Sequence, residues 1–262
     1  MAKVSILTPT LNREPTVAVL MQWIQNQTHA DWEWWLLHDG EAPYSKAFRD
    51  AAAADPRIRY VYSPQRQSIG AKTNAMLERA TGEIIMHFDD DDYYGPSYVA
   101  TMVAALADCD FVKLSGWYLY KPAEDFFAYW YQSWLAPYHF RVAPNAPVGL
   151  FSTHMFDEQT NDESKWGYGF TYAYRTRVRE VARLSNEYTH NAENALMHAV
   201  RSHGALKATH FADQKGIVLH VIHDGNHSLC HPQQQLPPAL LDQVFGPDMA
   251  VHLAAVGRIM KS

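Results

Sequence analysis

The four consecutive aspartates Asp89 to Asp92 are the residues whose type and spacing point most directly to chemistry. They follow the apolar, β-prone segment 84–88, so the sequence predicts that they lie where a buried strand ends. Crowded carboxylates repel one another unless a cation neutralises them, and hard divalent ions such as Mg²⁺ and Mn²⁺ prefer oxygen ligands. A solvated acidic loop is the alternative and the usual role of a charge run. The position directly after a strand favours a metal and phosphate site.

The segments that must position this run alternate between strand-like and helix-like patterns over the first 115 residues. The predicted strands are 4–7, 32–37, 58–62, 83–88 and 111–114, and the predicted helices are 14–27, 45–54, 71–80 and 96–106. This βαβα order predicts an α/β fold, with a Rossmann-like and mostly parallel sheet flanked by helices. Ligands bind at the carboxyl ends of strands in such sheets, where the polar segments 8–13, 38–40 and 89–92 fall.

Composition restricts the class of protein. The chain has 262 residues, of which 47% are hydrophobic, enough for the core of one large domain. A formal net charge of -6 argues against a general polyanion-binding protein. The two cysteines, Cys109 and Cys230, are far apart and give neither a disulfide framework nor a paired metal motif. We find no signal-peptide pattern and no transmembrane segment, and we therefore expect a cytoplasmic location.

Four ordered motifs make the first 115 residues resemble a family 2 glycosyltransferase of the nucleotide-sugar-dependent, inverting type. The motifs are Val4–Arg13 (VSILTPTLNR), His38–Gly40 (HDG), Ser68–Asn74 (SIGAKTN), and Gly82-Glu83 leading into the four aspartates. The resemblance implies the A-type glycosyltransferase fold. It implies one continuous domain, with a nucleotide-sugar-binding half (residues 1–115) and an irregular acceptor-binding half with a C-terminal helix (residues 116–262).

The resemblance also implies the ligands. The donor would be a nucleotide sugar, and the cofactor would be Mn²⁺ or Mg²⁺. The acceptor would be a hydroxyl compound, and a glycan, a lipid-linked sugar, a protein, a small molecule and a modified nucleobase all remain open.

The resemblance assigns the first two motifs to the base of the donor. The base would lie on a wall formed by Pro9, Thr10, Leu11 and Asn12. An ordinary strand-to-helix turn, with Asn12 capping the helix, is the alternative. Asp39 would accept the N3–H of uracil or thymine, although an Asp-Gly pair is often only a turn.

The phosphates and the ribose of the donor are assigned to three further residues. Lys72 would reach the base or the diphosphate, and the alternative is a solvated lysine on a helix. Thr73 stands where many relatives carry an arginine. Asp89 and Asp90 would contact the donor ribose or phosphates.

The metal is assigned to the end of the acidic run. Asp91 would carry the metal carboxylate, and the ion would bridge the two phosphates of the leaving nucleotide as a Lewis acid and template. Asp92 is expected to brace the loop. His223 resembles a histidine that lies near the diphosphate or completes the metal shell, with His220 and His227 as alternates. A single histidine is more often structural.

An inverting transfer needs a general base for the acceptor hydroxyl. The family supplies it from a Glu-Asp pair at the start of a helix, where this chain reads Glu193-Asn194. Asparagine cannot act as a base, so Glu193 is the candidate catalytic residue. The alternative is an acid that merely favours the helix dipole in the first turn. Asp157, Asp162 and Glu163 are the reserve candidates.

Several features of the second half stay open. Residues 126–134 have aromatic side chains at helix spacing, and residues 167–175 alternate as a strand does. The apolar spacing in 240–260 allows packing on the domain, a homodimer or membrane contact, and packing is the expected role. Two other functions remain: a nucleotidyltransferase, although the expected Gly-rich phosphate loop is missing, and a catalytically impaired nucleotide-binding relative, which Asn194 and Thr73 allow.

Overall fold

The computed structural model describes residues 1–134, 136–152, 165–187, 192–225, 228–247 and 249–259. The reserve acids at 157, 162 and 163 and the alternate histidine at 227 lie outside these residues. Strands and helices are numbered below in chain order.

The strands are β1 (Val4–Thr10), β2 (Trp32–His38), β3 (Ile58–Tyr62), β4 (Ile84–His87), β5 (Tyr93–Tyr94), β6 (Phe111–Lys121), β7 (Phe126–Tyr131), β8 (Tyr138–Ala143), β9 (Ala146–Ser152), β10 (Ala173–Arg175), β11 (Ala208–Ala212), β12 (Val218–Val221) and β13 (Gln234–Leu236). The helices are α1 (Glu14–Gln25), α2 (Lys46–Ala54), α3 (Ile69–Leu77), α4 (Tyr98–Ala105), α5 (Glu193–Ser202), α6 (Leu241–Phe245) and α7 (Met249–Ile259).

The first half of the chain forms a parallel sheet in the order β4-β1-β2-β3. Strands β1, β2 and β4 are buried over almost their whole length. Because helices cover both faces of such a sheet, these strands consist mainly of apolar residues. The predicted α/β fold, with its mostly parallel sheet flanked by helices, is confirmed.

The second half extends the same sheet and adds a separate two-stranded antiparallel sheet, β8-β9, whose residue His139 lines the cavity described below. Strand β10 runs antiparallel between β4 and β6, and β6 also pairs with β7, β11 and β12. The long strand β6 spans residues 111–121, so the suggested division after residue 115 falls inside one strand. That division into two functional halves stays a prediction.

The helix spacing in residues 126–134 was misleading, because residues 126–131 form strand β7. Trp130 lies opposite Trp117 and Tyr129 lies opposite Tyr118 across the antiparallel β6–β7 pair. Aromatic residues favour strands, and cross-strand aromatic pairs stabilise them, so this pairing overrides the helical period. In residues 167–175 only Ala173–Arg175 is a strand, and it follows a short 3₁₀ helix at Gly169–Thr171.

The C-terminal segment packs on the domain. Met249, Ala255 and Val256 of α7 are buried, and the ring of His252 lies 4.6 Å from that of Trp23 in α1. Packing on the domain was the expected role of this segment, and the homodimer stays a prediction. Within the described residues, none of the helices combines the length and the apolar character that a bilayer span requires.

Helix α3 is fixed to the segment that leads into α5. The Asn74 side chain donates to the Leu184 carbonyl over 2.8 Å, and the Ser68 hydroxyl donates to the Asn186 carbonyl over 2.6 Å. A Cβ on Gly70 would lie 1.8 Å from the backbone oxygen of Ser185. The helix and this segment can approach so closely only because residue 70 has no side chain.

We therefore expect Gly70→Ala to lower the free energy of unfolding by about 1–3 kcal/mol, the usual range for overpacking. Urea denaturation followed by circular dichroism measures this change. Gly149→Ala is the matched control, because nothing lies within 4 Å of a Cβ at that position. Equal stability of the two variants would contradict the close packing of α3.

Candidate active site

A cavity of about 630 Å³ opens at the carboxyl ends of β1 and β4. The predicted site residues among its lining are Pro9, Thr10, Leu11, Lys72, Asp89, Asp90, Asp91 and Glu193. Asn12, Asp39 and His223 are not in the lining. Asp39 and His223 are buried and contact the lining residues Lys72 and Asp91, and Asn12 is exposed. The motifs named from the sequence therefore meet at one place, although their roles in binding and catalysis stay predictions.

The acidic loop after β4 is neutralised by groups from distant parts of the chain. Asp90 accepts hydrogen bonds from the Thr10 hydroxyl (2.6 Å) and from Arg13 Nη1 (2.7 Å). The same Arg13 nitrogen lies 2.5 Å from Asp91 Oδ2. The side chains of Asp90 and Asp91 are 6% and 5% exposed, so these charges are largely removed from water. Buried carboxylates of this kind require such partners.

Asp92 holds the loop to β12, as expected from the sequence. Its carboxylate accepts from the backbone N–H of Val221 (2.9 Å) and lies 2.8 Å and 2.9 Å from Nδ1 of His220. Burial alone lowers the pKa of His220, but the charge of Asp92 raises it well above its usual value. His220 therefore forms a buried ion pair with Asp92.

His223 contacts Asp91 and has a defined tautomer. The backbone N–H of Gly225 donates to His223 Nδ1 (3.1 Å), so the ring proton is on Nε2, which lies 2.9 Å from Asp91 Oδ2. Burial raises the pKa of Asp91, but Arg13 and His223 hold it below its usual range. In this geometry His223 donates to the Asp91 carboxylate and orients it. Direct ligation by His223 stays a prediction.

The residues of the acidic loop fit a divalent ion. One ligand oxygen from each of Asp89, Asp91 and Asp92 can be chosen so that all three lie within 4.8 Å of one another. Burial raises the pKa of Asp89, and the neighbouring carboxylates of Asp92, Asp91 and Asp90 raise it further. Oxygen donors with excess negative charge suit Mg²⁺ or Mn²⁺.

On the donor side, Lys72 and Asp39 form a buried ion pair. Lys72 Nζ donates to Asp39 Oδ1 (2.8 Å) and to the Thr10 carbonyl (2.9 Å), while Asp39 Oδ2 accepts from the backbone N–H of Gln67 (2.7 Å). Lys72 is 4% exposed, so a solvated lysine is excluded. Contact of Asp39 with a base stays a prediction.

The alternative role of Asn12 as a helix cap is wrong. Helix α1 has no side-chain cap, and Asn12 adopts a φ of 52°, in the left-handed region. Its backbone N–H donates to Nε2 of His38 (3.3 Å), whose ring stacks on Tyr44. Burial lowers the pKa of His38 to about 4, so this ring is neutral near pH 7. The turn is therefore fixed by tertiary contacts.

On the acceptor side, Glu193 is the first residue of α5 and is partly exposed. Asn194 also lines the cavity. Nearby, Lys113 is 0% exposed, and its Nζ donates to Gln132 Oε1 (3.1 Å) and to the Gly167 carbonyl (2.6 Å). Burial lowers the pKa of Lys113 strongly, and the charge of Glu193 opposes this shift.

The sequence analysis missed Arg13 and Lys113. Arg13 is the last residue of the first motif, which is a signal for a role at the site, but its carboxylate partners are 77 and 78 residues away. Lys113 stands inside an otherwise apolar strand, which signals a buried charge with specific partners. The aromatic residues Trp130, Tyr168 and Phe170 also line the cavity, and nothing in the sequence distinguishes them from aromatic residues of the core.

Comparison with known proteins shows the family and the fold. The sequence profile described as glycosyl transferase family 2 matches residues 5–165. A relative from Escherichia coli, the UDP-Glc:alpha-D-GlcNAc-diphosphoundecaprenol beta-1,3-glucosyltransferase WfgD, is 29% identical over 91 residues, which are 35% of this chain and 36% of the relative. The chain spans only 12–40% of the length of the first curated relatives that it matches.

Two solved structures have a similar fold. The mannosyltransferase PcManGT from Pyrobaculum calidifontis, in complex with GDP-Man and Mn²⁺, superposes with a TM-score of 0.56 at 16% identity, over 86% of this chain and 59% of that chain. S. aureus TarS 1-349 in complex with UDP gives a TM-score of 0.58 at 13% identity, over 84% of this chain and 60% of that chain. The expected A-type glycosyltransferase fold is confirmed.

We expect the buried Asp92–His220 pair to contribute to the free energy of unfolding. Asp92→Asn removes one partner of a buried ion pair, so we expect the free energy of unfolding to fall by about 3–5 kcal/mol. Urea denaturation measures it. Asp50→Asn is the control, because Asp50 is paired with Lys46 on the surface and its side chain is 63% exposed. That change should cost less than about 1 kcal/mol, and a similar cost for both variants would refute the bracing role.

Proposed function

Because the chain belongs to glycosyl transferase family 2, we propose that it transfers a sugar from a nucleotide diphosphate donor to an acceptor hydroxyl, with inversion and with a divalent metal. The observation that carries this proposal is the placement of the acidic loop and Glu193 in the lining of one cavity. The loop supplies oxygen ligands for a cation, and Glu193 supplies a carboxylate that can accept a proton. The two groups belong to different elements, as a donor side and an acceptor side require.

The similar proteins support the donor class and the metal. The E. coli relative is named for a UDP-Glc donor, and the two solved structures hold GDP-Man with Mn²⁺ and UDP. We infer a nucleotide sugar as the donor, with UDP- or dTDP-sugars preferred, because the resemblance assigns the base contact to Asp39, which pairs with the lining residue Lys72. A carboxylate can accept the N3–H of uracil or thymine.

Asp91, with Asp89, is the residue that would hold Mn²⁺ or Mg²⁺, and His223 would orient the Asp91 carboxylate or complete the shell. When bound, the ion supplies Lewis acidity to the leaving nucleotide diphosphate. Lys72 and Arg13 are the lining cations that can add charge stabilisation to the phosphates. Asp90, held by Thr10, would contact the ribose or a phosphate.

Glu193 would act on the acceptor. As the acceptor oxygen attacks the anomeric carbon, the bond from that carbon to the diphosphate oxygen breaks on the opposite face. The hydroxyl proton passes to the Glu193 carboxylate, and the bonding electron pair leaves with the nucleotide diphosphate. A single displacement of this kind inverts the anomeric carbon. The acceptor is a hydroxyl compound, and the lipid-linked acceptor named for the E. coli relative makes a lipid-linked sugar the first one to test.

The metal assignment predicts the result of a donor assay. With a panel of nucleotide sugars, we expect nucleotide diphosphate release in Mn²⁺ or Mg²⁺ and its loss with a chelator. Asp91→Asn should abolish release and should weaken UDP binding only when metal is present, because it removes a ligand oxygen. Calorimetric titration with UDP measures this, and Asp242→Asn, on the exposed side of α6, is the control. Unchanged UDP affinity of folded Asp91→Asn in Mn²⁺ would exclude the assignment.

The base assignment predicts a separate kinetic effect. Glu193→Gln should lower the transfer rate about 10²–10⁴-fold, the usual contribution of a general base. UDP and Mn²⁺ affinities should stay unchanged, because the carboxylate faces the acceptor. Glu180→Gln is the matched control, since Glu180 is exposed and does not line the cavity. Near-normal transfer by Glu193→Gln would place the base elsewhere, and loss of UDP binding would show a structural role.

A further inference from the structure

The guanidinium of Arg13 lies between two buried carboxylates of the acidic loop. Its Nη1 lies 2.7 Å from Asp90 Oδ1 and 2.5 Å from Asp91 Oδ2, and its Nη2 donates to the Gly225 carbonyl. Asp91 Oδ2 also receives the Nε2–H of His223. Oδ2 of the expected metal carboxylate is therefore already occupied by two donors, and one of them carries a full positive charge.

A metal ion and this guanidinium cannot share Asp91 Oδ2. An ion bound to that oxygen would lie within a few ångströms of Nη1, and two cations at that separation repel each other strongly in a site with little water. The Arg13 side chain is only 22% exposed, so solvent screens little of that repulsion. An ion on the other oxygen of Asp91 would also lie close to this charge, so metal binding weakens the Arg13–Asp91 pair and favours its displacement.

The backbone at Arg13 is fixed, so the side chain is the part that can leave. The Arg13 N–H donates to the Tyr44 hydroxyl (3.2 Å), and the Arg13 carbonyl accepts from the N–H groups of Thr16 and Val17 at the start of α1. The side chain crosses from this anchor to the acidic loop, and it also lines the cavity. A rotamer change towards the cavity frees Asp91 without moving the strand or the helix.

We propose that Arg13 is a built-in competitor of the divalent metal. In the ligand-free protein its guanidinium neutralises Asp90 and Asp91, and metal binding displaces it from Asp91. This inference rests on the proposed function, because it takes Asp91 as the metal ligand. It makes Arg13 a positioning residue that sets how tightly the empty protein holds metal.

The test is to measure the affinity of the protein for Mn²⁺ in the absence of any sugar donor. The concentration of free Mn²⁺ is monitored by electron paramagnetic resonance. We expect Arg13→Gln to bind Mn²⁺ at least roughly tenfold more tightly than the wild-type protein, because the competing charge is gone. Arg13→Lys keeps the charge but loses the planar fork that bridges both carboxylates, so it should fall in between. Arg177→Gln is the control, because Arg177 pairs with Asp110 away from the cavity.

The outcomes separate this inference from the proposed function. If the wild-type protein binds Mn²⁺ and both Arg13 variants bind it equally or more weakly, the competition is refuted and the metal site stands. If neither the wild-type protein nor the variants bind Mn²⁺, even with UDP present, the metal dependence in the proposed function fails and the competition fails with it. If Arg13→Gln is unfolded without metal, the Mn²⁺ affinity of Arg13→Lys is compared with that of the wild-type protein. Tighter binding supports the competition, and equal or weaker binding refutes it.

Discussion

The neutralisation of the adjacent carboxylates Asp90, Asp91 and Asp92 is the constraint on which the rest of the structure depends. They occupy one short loop after a buried strand, and burial raises the free energy of their charges. The cations and donors that offset this cost come from the start of α1, from β12 and from the turn after β12. The loop therefore fixes the N-terminal and C-terminal parts of the chain to each other. A site of this kind exists only in the complete fold.

The sheet supplies the second requirement, which is a common edge for the site residues. Parallel strands β1, β2 and β4 end on the same side, so residues that follow them in the sequence converge. Antiparallel β10 then continues the sheet from β4 to β6, and Glu193 and the acidic loop line the same cavity. The packing of Gly70 against Ser185 sets where the segment before α5 runs, and hence where Glu193 begins its helix.

The sequence predicted the local features of this arrangement and few of the distant ones. The strands of the first half, the acidic loop and the bracing role of Asp92 follow from patterns within a few residues, and the structure has them close to the expected bounds. Strand β7 was missed because aromatic residues at i and i+3 satisfy both a helix and a paired strand, and only the partner β6 decides between them. Arg13, Lys113 and the buried Asp39–Lys72 pair were missed for another reason. Their roles depend on partners at least 19 residues away in the chain, about which a local pattern carries no information.

The buried charges explain how a cavity with this many ionic groups can be ready for a charged ligand. Lys72 and Arg13 have already lost much of their hydration and are held by carboxylates, so a diphosphate would exchange one ionic partner for another. Such an exchange avoids most of the cost of stripping water from the protein at the moment of binding. The same arrangement has a disadvantage, because each internal partner competes with the ligand. The ion pairs of Lys72 and Arg13 must therefore be strong enough to stabilise the ligand-free protein and weak enough to break when a ligand binds. The buried Asp92–His220 pair does not exchange partners with a ligand, so it supplies the stability that is lost when the other pairs break.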